Sequence, residues 1–174
     1  MEVGGWSIRT RFVVVLVAGL VGLFGLFLAA LGLYSLNELR RSMLDDRKDQ
    51  IHALVEVAIG VVSRFHDLAK SGALSEDEAK RQALETVRQM RYGNGEYFFV
   101  LDSEHHFVMH AAKAALEGKS AADLRDPSGK LFIQELVSVA LGKEQGGIVN
   151  YSFAKPGSDK AVPKLSYSAH FKPW

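Results

Sequence analysis

The sequence predicts an α+β protein in which an N-terminal transmembrane helix continues into a long helix and is followed by an antiparallel sheet domain with flanking helices. Residues 12–36 contain no charged side chain. As a helix, such a run spans roughly 37 Å, enough to cross a hydrocarbon core of ~30 Å. After residue 92, short aromatic and β-branched runs alternate with turn residues, which is typical of strands.

The composition of the chain excludes several classes of protein. Its 174 residues include 21 Lys and Arg against 20 Asp and Glu, so the formal net charge is +1. A nucleic-acid partner requires a concentrated basic face, which this balance argues against. The chain has no cysteine, which excludes disulfides, thiolate metal sites and cysteine nucleophiles. Outside the apolar segment there is room for one modest domain.

The apolar segment is interpreted as an uncleaved membrane anchor. The apolar core of a signal peptide is about 7–15 residues long and ends at a small-residue cleavage site, whereas this run is longer and lacks a clear A-x-A site. We therefore expect an N-terminal segment at residues 1–11, a span at 12–36 of either orientation, and a domain at 37–174. Charge alone does not set this orientation, because basic residues flank both ends of the span: Arg9, Arg11, Arg40, Arg41, Arg47 and Lys48.

Small residues recur along one face of the predicted span. They follow 4-3-4-3 spacing at Ala18, Gly22, Gly25, Ala29 and Gly32. Small side chains let two membrane helices approach closely, so this seam predicts a homodimer. The alternative is that glycine is simply frequent in membrane helices.

Hydrophobic periodicity and turn residues predict the elements that follow the span. A helix over 37–70 ends at Ser71-Gly72, and Ser75 with Glu78 forms a capping box that begins a second helix. Asp126-Pro127-Ser128-Gly129 and Pro156-Gly157-Ser158-Asp159 are typical turns. The remaining predicted elements are strands at 96–102 and 107–111, a helical piece within 112–123, a helix at 130–141, and an antiparallel hairpin of strands 148–155 and 165–171.

An ordered series of short motifs runs through the second half of the chain. It comprises Arg91-Tyr92-Gly93, Tyr97-Phe98-Phe99-Val100-Leu101-Asp102, Val108-Met109-His110, Leu116-Glu117-Gly118-Lys119, Asp126-Pro127 with Gly129, Gly147 with Val149 and Tyr151, Pro156-Gly157, Pro163-Lys164-Leu165-Ser166-Tyr167, and Phe171 with Trp174. The series resembles the core of the single Cache domain of bacterial chemoreceptors and sensor kinases. One departure is Ala111, where the family often has proline.

The resemblance implies a PAS-like antiparallel sheet that carries a pocket for a small ligand, most often an organic acid or an amino acid. It also implies a receptor in the bacterial inner membrane, with residues 1–11 cytoplasmic and the main domain at 37–174 periplasmic or extracellular. Members of the family continue with a last strand, a second membrane helix and a cytoplasmic signalling region. The expected function is therefore the input domain of a receptor. The alternative is a membrane-tethered binding protein without its own output.

Eight residues are candidates for the ligand site, and their chemistry favours an anion. Lys164 and Arg91 can neutralise a carboxylate. Tyrosine hydroxyls and an imidazole can add hydrogen bonds, from Tyr97, Tyr151, Tyr167 and His110, while Phe99 and Met109 can form an apolar wall. The competing interpretations are a solvated lysine, core tyrosines, a core histidine and, for Arg91, favourable charge at a helix C-terminus.

We expect no metal, no cofactor and no enzymatic activity. His105 and His106 fall at a hairpin turn, and neighbouring strand residues point to opposite faces, so they do not share one metal site with His110 and Asp102. Asp126 could be considered as a catalytic acid, but its place in the Asp126-Pro127-Ser128-Gly129 turn explains it as a turn residue. The sequence contains no glycine-rich phosphate loop, nucleophile elbow or zinc-protease helix.

Overall fold

The computed structural model describes residues 8–142, 144, 146–154 and 158–174. The chain divides into two compact units, Met1–Asp46 and Arg47–Trp174. Residues 1–7 of the predicted cytoplasmic segment, Lys155 at the end of a predicted strand, and the predicted turn at Pro156-Gly157 lie outside the described residues.

Helix α1 comprises Ile8–Lys70, which confirms that the apolar segment and the following helix are continuous. In the first unit, described large apolar side chains of α1 are exposed, as at Leu20, Leu26 and Leu33. By length and composition, α1 is the one helix in the described part of the chain that could cross a membrane. A helix satisfies its own backbone hydrogen bonds, as a segment in lipid must. The exposed apolar side chains of α1 also suit a lipid environment.

The break after α1 and the start of α2 follow the predicted local chemistry. Gly72 has a φ of 76°, which favours glycine and ends the helix. Helix α2 comprises Glu76–Gln89, and the hydroxyl of Ser75 accepts the Glu78 N–H at 3.3 Å. A capping box also includes a second hydrogen bond, from the Ser75 backbone N–H to the Glu78 side chain. Here the Glu78 carboxylate instead accepts from Arg81 Nε at 2.9 Å.

The described strands form three separate antiparallel pairs. They are β1 (Arg91–Tyr92) with β2 (Glu96–Tyr97), β3 (Phe99–Leu101) with β4 (Phe107–His110), and β5 (Gly146–Ala154) with β6 (Ala161–Ala169). A 3-10 turn, Ala114–Leu116, and helix α3, Phe132–Leu141, lie between β4 and β5. The α+β class and the final antiparallel hairpin are confirmed. The predicted strand 96–102 is interrupted at Phe98, and β6 begins four residues before its predicted start.

The core of the second unit lies between α3 and the β5–β6 pair. The Phe132 ring stacks on the Tyr151 ring at 4.4 Å between centroids, with 6° between their planes. Ile133 and Leu136 from α3 and Val149 from β5 are fully buried. Burying one such side chain contributes roughly 1.5–3 kcal/mol, so this layer holds β5 and β6 in a fixed register.

Candidate ligand-binding site

Four of the eight predicted site residues come together beside the core. The β5–β6 register pairs Tyr151 with Lys164, and directly opposed residues project from the same face of a sheet. The ammonium of Lys164 lies 5.0 Å from the centroid of the Tyr97 ring. The Tyr97 ring lies 5.1 Å from the ring of His110. Strands β2, β4, β5 and β6 thus each supply one polar side chain to what we call the Lys164 cluster.

Lys164 provides the positive charge of the cluster. Its side chain is 12% exposed, and its Nζ lies 3.6 Å from Oε2 of Glu96. That distance is longer than a hydrogen bond between charged groups, which is about 2.7–2.9 Å. Within the described part of the chain, the ammonium makes no hydrogen bond, and the Tyr97 ring face gives it a cation–π contact. A largely desolvated cation of this kind favours an anionic partner.

His110 is buried as a neutral imidazole. It is 3% exposed, and burial lowers its pKa to about 4. Its Nδ1 accepts the backbone N–H groups of Ala112 at 3.3 Å and Lys113 at 3.0 Å. The proton of the neutral ring is therefore on Nε2, because Nδ1 is already an acceptor. At neutral pH, His110 offers one N–H donor and no charge.

The two tyrosines of the cluster remain protonated at neutral pH. Burial raises the pKa of Tyr97 to about 12, and burial also raises the pKa of Tyr151. The hydroxyl of Tyr151 pairs with Ser166 Oγ at 2.9 Å. The hydroxyl of Tyr97 makes no hydrogen bond to any described residue, so it is a donor available to a ligand.

The predicted apolar residues Phe99 and Met109 lie in the same hairpin as His110. Phe99 pairs with His110 in the β3–β4 register, and their rings are nearly parallel at 18° with centroids 6.0 Å apart. Met109 is fully buried. Phe99 contributes to the apolar surroundings in which His110 is held neutral, whereas Met109 directly precedes His110 on β4 and projects from the opposite face.

Arg91 and Tyr167 lie outside the Lys164 cluster. Arg91 is exposed, and its guanidinium donates to the carbonyls of Met90 at 2.8 Å and Ala111 at 3.3 Å. This matches the competing interpretation of a cation at a helix C-terminus. Tyr167 is three positions from Lys164 on β6 and therefore projects from the opposite face. Its ring lies 4.4 Å from that of His52 on α1.

An ion pair that the sequence analysis did not identify positions His110. The guanidinium of Arg88 donates to both carboxylate oxygens of Glu117, at 2.6 and 3.0 Å. Glu117 Oε1 also accepts the His110 backbone N–H at 2.8 Å. These bonds lower the pKa of Glu117 to about 2. In the sequence, Glu117 stood out only as part of the Leu116-Glu117-Gly118-Lys119 motif.

Asp126 has the structural role that its turn motif predicted. Its Oδ1 accepts the N–H of Ser128 at 2.8 Å and of Lys130 at 3.1 Å, and its Oδ2 accepts the N–H of Ser152 at 3.1 Å. The Ser128 hydroxyl also donates to it, and these bonds lower its pKa to about 2. Asp126 therefore fastens the turn before α3 to strand β5.

A cavity of about 540 Å³ adjoins the Lys164 cluster within the second unit. Apolar side chains of α1 and α2, such as Ile51, Leu54 and Val87, line it, together with residues of β3 and β6. Of the eight predicted site residues, Tyr97, Phe99 and Tyr167 are among its lining. Tyr97 therefore belongs both to the polar cluster and to the wall of an apolar cavity.

Asp102 makes local hydrogen bonds around the hairpin histidines. His106 Nδ1 lies 3.0 Å from Asp102 Oδ2, and Asp102 Oδ1 accepts the backbone N–H groups of Glu104 and His106. Among the described residues, no three His, Asp or Glu side chains are grouped as metal ligands. Asp102 is thus occupied in ordering the β3–β4 turn.

Sequence and structure comparisons place these features in a known context. The chain is 33% identical over 168 residues, 97% of its length, to the methyl-accepting chemotaxis protein McpP of Pseudomonas putida, of which it spans 30%. Two solved structures are also similar. A periplasmic sensor domain of a chemotaxis protein is 42% identical, with a TM-score of 0.72 over 76% of this chain and 91% of that one.

The second solved structure is described as the structural basis for carboxylic acid recognition by a Cache chemosensory domain. It is 29% identical, with a TM-score of 0.73, over 77% of this chain and 90% of that one. Residues 43–174 match the family Single Cache domain 2. That match begins within α1 and includes every residue of the Lys164 cluster, so the chain belongs to the single Cache family of sensor domains.

Proposed function

We propose that this chain is the input part of a bacterial transmembrane receptor and that it binds a short carboxylate at the Lys164 cluster. The observation that carries the proposal is Lys164 itself: a largely buried ammonium without a hydrogen bond to the described residues, in contact with the Tyr97 ring. Two uncharged donors, the Tyr97 hydroxyl and His110 Nε2–H, belong to the same cluster. One cation with two neutral donors suits a single carboxylate group.

The ligand's carboxylate would pair with the Lys164 ammonium and accept from Tyr97 and His110. Each charge-assisted hydrogen bond contributes about 1.5–3 kcal/mol, more than a bond between neutral groups. Phe99, which pairs with His110 across the β3–β4 hairpin, would contact the ligand's short carbon chain. Tyr151 would have an indirect role. Its hydrogen bond to Ser166 and the stacking of its ring on Phe132 would hold this face of the sheet in position.

The membrane assignment follows from helix α1 and from the relatives. We propose that residues 12–36 span the inner membrane, that residues 1–11 are cytoplasmic, and that the domain at 37–174 is periplasmic. The small residues of the span, including Gly22 and Gly25, would form the seam of a homodimer. The chain spans 30% of the length of McpP, and in a receptor of the kind proposed a cytoplasmic signalling region would give the output.

Signal transfer would use the two faces of β6. Lys164 on one face would contact the ligand, while Tyr167 on the other face contacts His52 of α1. A ligand shifts such an equilibrium only by its difference in affinity between the two states. Ligand binding would therefore favour one of the two states. In that state, β6 and its contact with α1 are placed so that the ligand's carboxylate can approach the Lys164 ammonium. This role is sensing rather than catalysis.

The test is a thermal-shift and calorimetry comparison on the full chain in lipid nanodiscs. Propionate should bind and raise the unfolding temperature, whereas propionamide, which has the same shape but no charge, should bind at least tenfold more weakly. Propylamine should not bind, because its cation would meet Lys164. Equal binding of propionate and propionamide would exclude the anion site, and stabilisation by propylamine alone would exclude it as well.

A further inference from the structure

We propose that Glu96 is an internal competitor of the ligand, a carboxylate that holds the Lys164 ammonium until the ligand's carboxylate replaces it. This inference rests on the proposed function, because it concerns the same ammonium. Glu96 is not one of the eight candidate residues, and its proposed role is to lower the affinity for the ligand.

Glu96 is fixed near Lys164 by the β1–β2 hairpin. It pairs with Tyr92 across the turn and directly precedes Tyr97, whose ring contacts the same ammonium. Gly93 and Gly95 in that turn have φ values of 51° and 85°, a region in which other residues are strained. The tight turn thus carries the Glu96 carboxylate to the edge of the Lys164 cluster. Glu96 is also in contact with a group other than Lys164.

The distance between the two groups makes exchange possible. Lys164 Nζ and Glu96 Oε2 are 3.6 Å apart, so they form an ion pair without a direct hydrogen bond. A ligand carboxylate could approach to about 2.7–2.9 Å and gain that bond. The Glu96 side chain is 38% exposed, so on losing Lys164 its carboxylate can return to water. The buried ammonium, at 12% exposed, has no comparable access to solvent.

Two carboxylates at one ammonium repel each other, so Glu96 opposes the ligand both by occupying Lys164 and by its own charge. The two other charged groups that act on His110, Lys113 and Glu117, make contacts of their own. Lys113 lies over the Phe153 ring, with 4.7 Å between its Nζ and the ring centroid, and Glu117 is paired with Arg88. Removing the charge of Glu96 should therefore leave Lys164 better able to bind an anion.

The experiment compares Glu96→Gln with the unsubstituted full chain in nanodiscs, using propionate as the calorimetric titrant. Glu96→Gln should bind propionate about two- to fivefold more tightly, the effect expected from a partly exposed ion pair. The matched control is Glu104→Gln, which changes the net charge equally at an exposed site in the β3–β4 turn and should leave the affinity unchanged. Circular dichroism checks that each variant is folded.

Unchanged or weaker binding by Glu96→Gln would overturn the inference, as would equal tightening by Glu104→Gln, which would indicate a net-charge effect only. If Glu96→Gln does not fold, Glu96→Asp provides the test. It keeps the charge but withdraws the carboxylate from Lys164, so it should also tighten binding, and an unchanged affinity would contradict the exchange. Failure of the unsubstituted chain to bind propionate would instead overturn the proposed function, so the two failures are distinguishable.

Discussion

Replacing Lys164 with methionine removes the ammonium while it keeps an apolar stem against the Tyr97 ring. If the ammonium makes one charge-assisted hydrogen bond to the ligand, its loss costs about 1.5–3 kcal/mol. This corresponds to a roughly ten- to hundredfold weaker Kd. The cost to folding should be much smaller. The ion pair with Glu96 joins a 12% exposed and a 38% exposed side chain over 3.6 Å, and partly exposed pairs contribute about 0.2–1 kcal/mol.

Isothermal titration calorimetry of propionate into the full chain in nanodiscs measures the change in Kd, and thermal unfolding measures the change in stability. Lys160→Met is the matched control, because Lys160 is exposed just before β6 begins. Lys164→Met should lose binding and keep its fold, whereas Lys160→Met should keep both. Propionate binding by Lys164→Met within twofold of the unsubstituted chain would refute the assignment of Lys164.

The remaining predictions concern pH, stability and association. The affinity for a carboxylate should not change between about pH 5.5 and pH 8, because the pKa of His110 is about 4 and that of Tyr97 about 12. Calorimetry at several pH values measures this. If the affinity falls as the pH rises through about 6.5, His110 binds the ligand as a cation. Asp126 and Glu117 have pKa values of about 2, below their ordinary 3.8 and 4.5, so their stabilisation is complete above about pH 5 and is lost as pH falls toward 2. The unfolding temperature followed by circular dichroism should drop across that window, and less steeply in Asp126→Asn; equal slopes would contradict this role. Gly25→Ile should weaken dimerisation in detergent by preventing close helix approach, and sedimentation that finds a monomeric unsubstituted chain would exclude the seam.

Local chemistry made most of the fold predictable. Ser75 begins α2 because its hydroxyl accepts a helix N–H, and Gly72 ends the preceding helix because it adopts a positive φ. These signals need only neighbouring residues. The interruption of the predicted strand at Phe98 was not visible in the same way, because the run around it is uniformly aromatic and β-branched.

Side-chain chemistry and the resemblance suggested the site residues, but not the faces from which they project. Tyr151 and Lys164 share a face because the β5–β6 register pairs them. Tyr167 was grouped with Lys164 by the chemistry of its hydroxyl and by the resemblance, without regard to the face from which each side chain projects. Once β6 is known to begin at Ala161, the spacing of three between them places the two side chains on opposite faces.

Contacts between distant parts of the chain could not be predicted from spacing. Arg91 was expected in the pocket, but carbonyls at the end of α2 and at Ala111 are within reach of its guanidinium. Arg88 and Glu117 are 29 residues apart, and only the packing of α2 beside β4 brings them together. A single sequence shows which residues are charged, whereas the tertiary structure decides which charges remain available to a ligand.

Solid-state NMR provides the most direct test that a carboxylate binds at Lys164. The full chain, labelled with ¹⁵N at lysine side chains and reconstituted in lipid, would be saturated with propionate carrying ¹³C in its carboxyl group. Binding at Lys164 should give a dipolar coupling between the bound carboxyl carbon and one lysine nitrogen at about 3–4 Å, and this coupling should be lost in Lys164→Met. A bound propionate that shows no lysine coupling, or a coupling that persists in Lys164→Met, would contradict binding at Lys164.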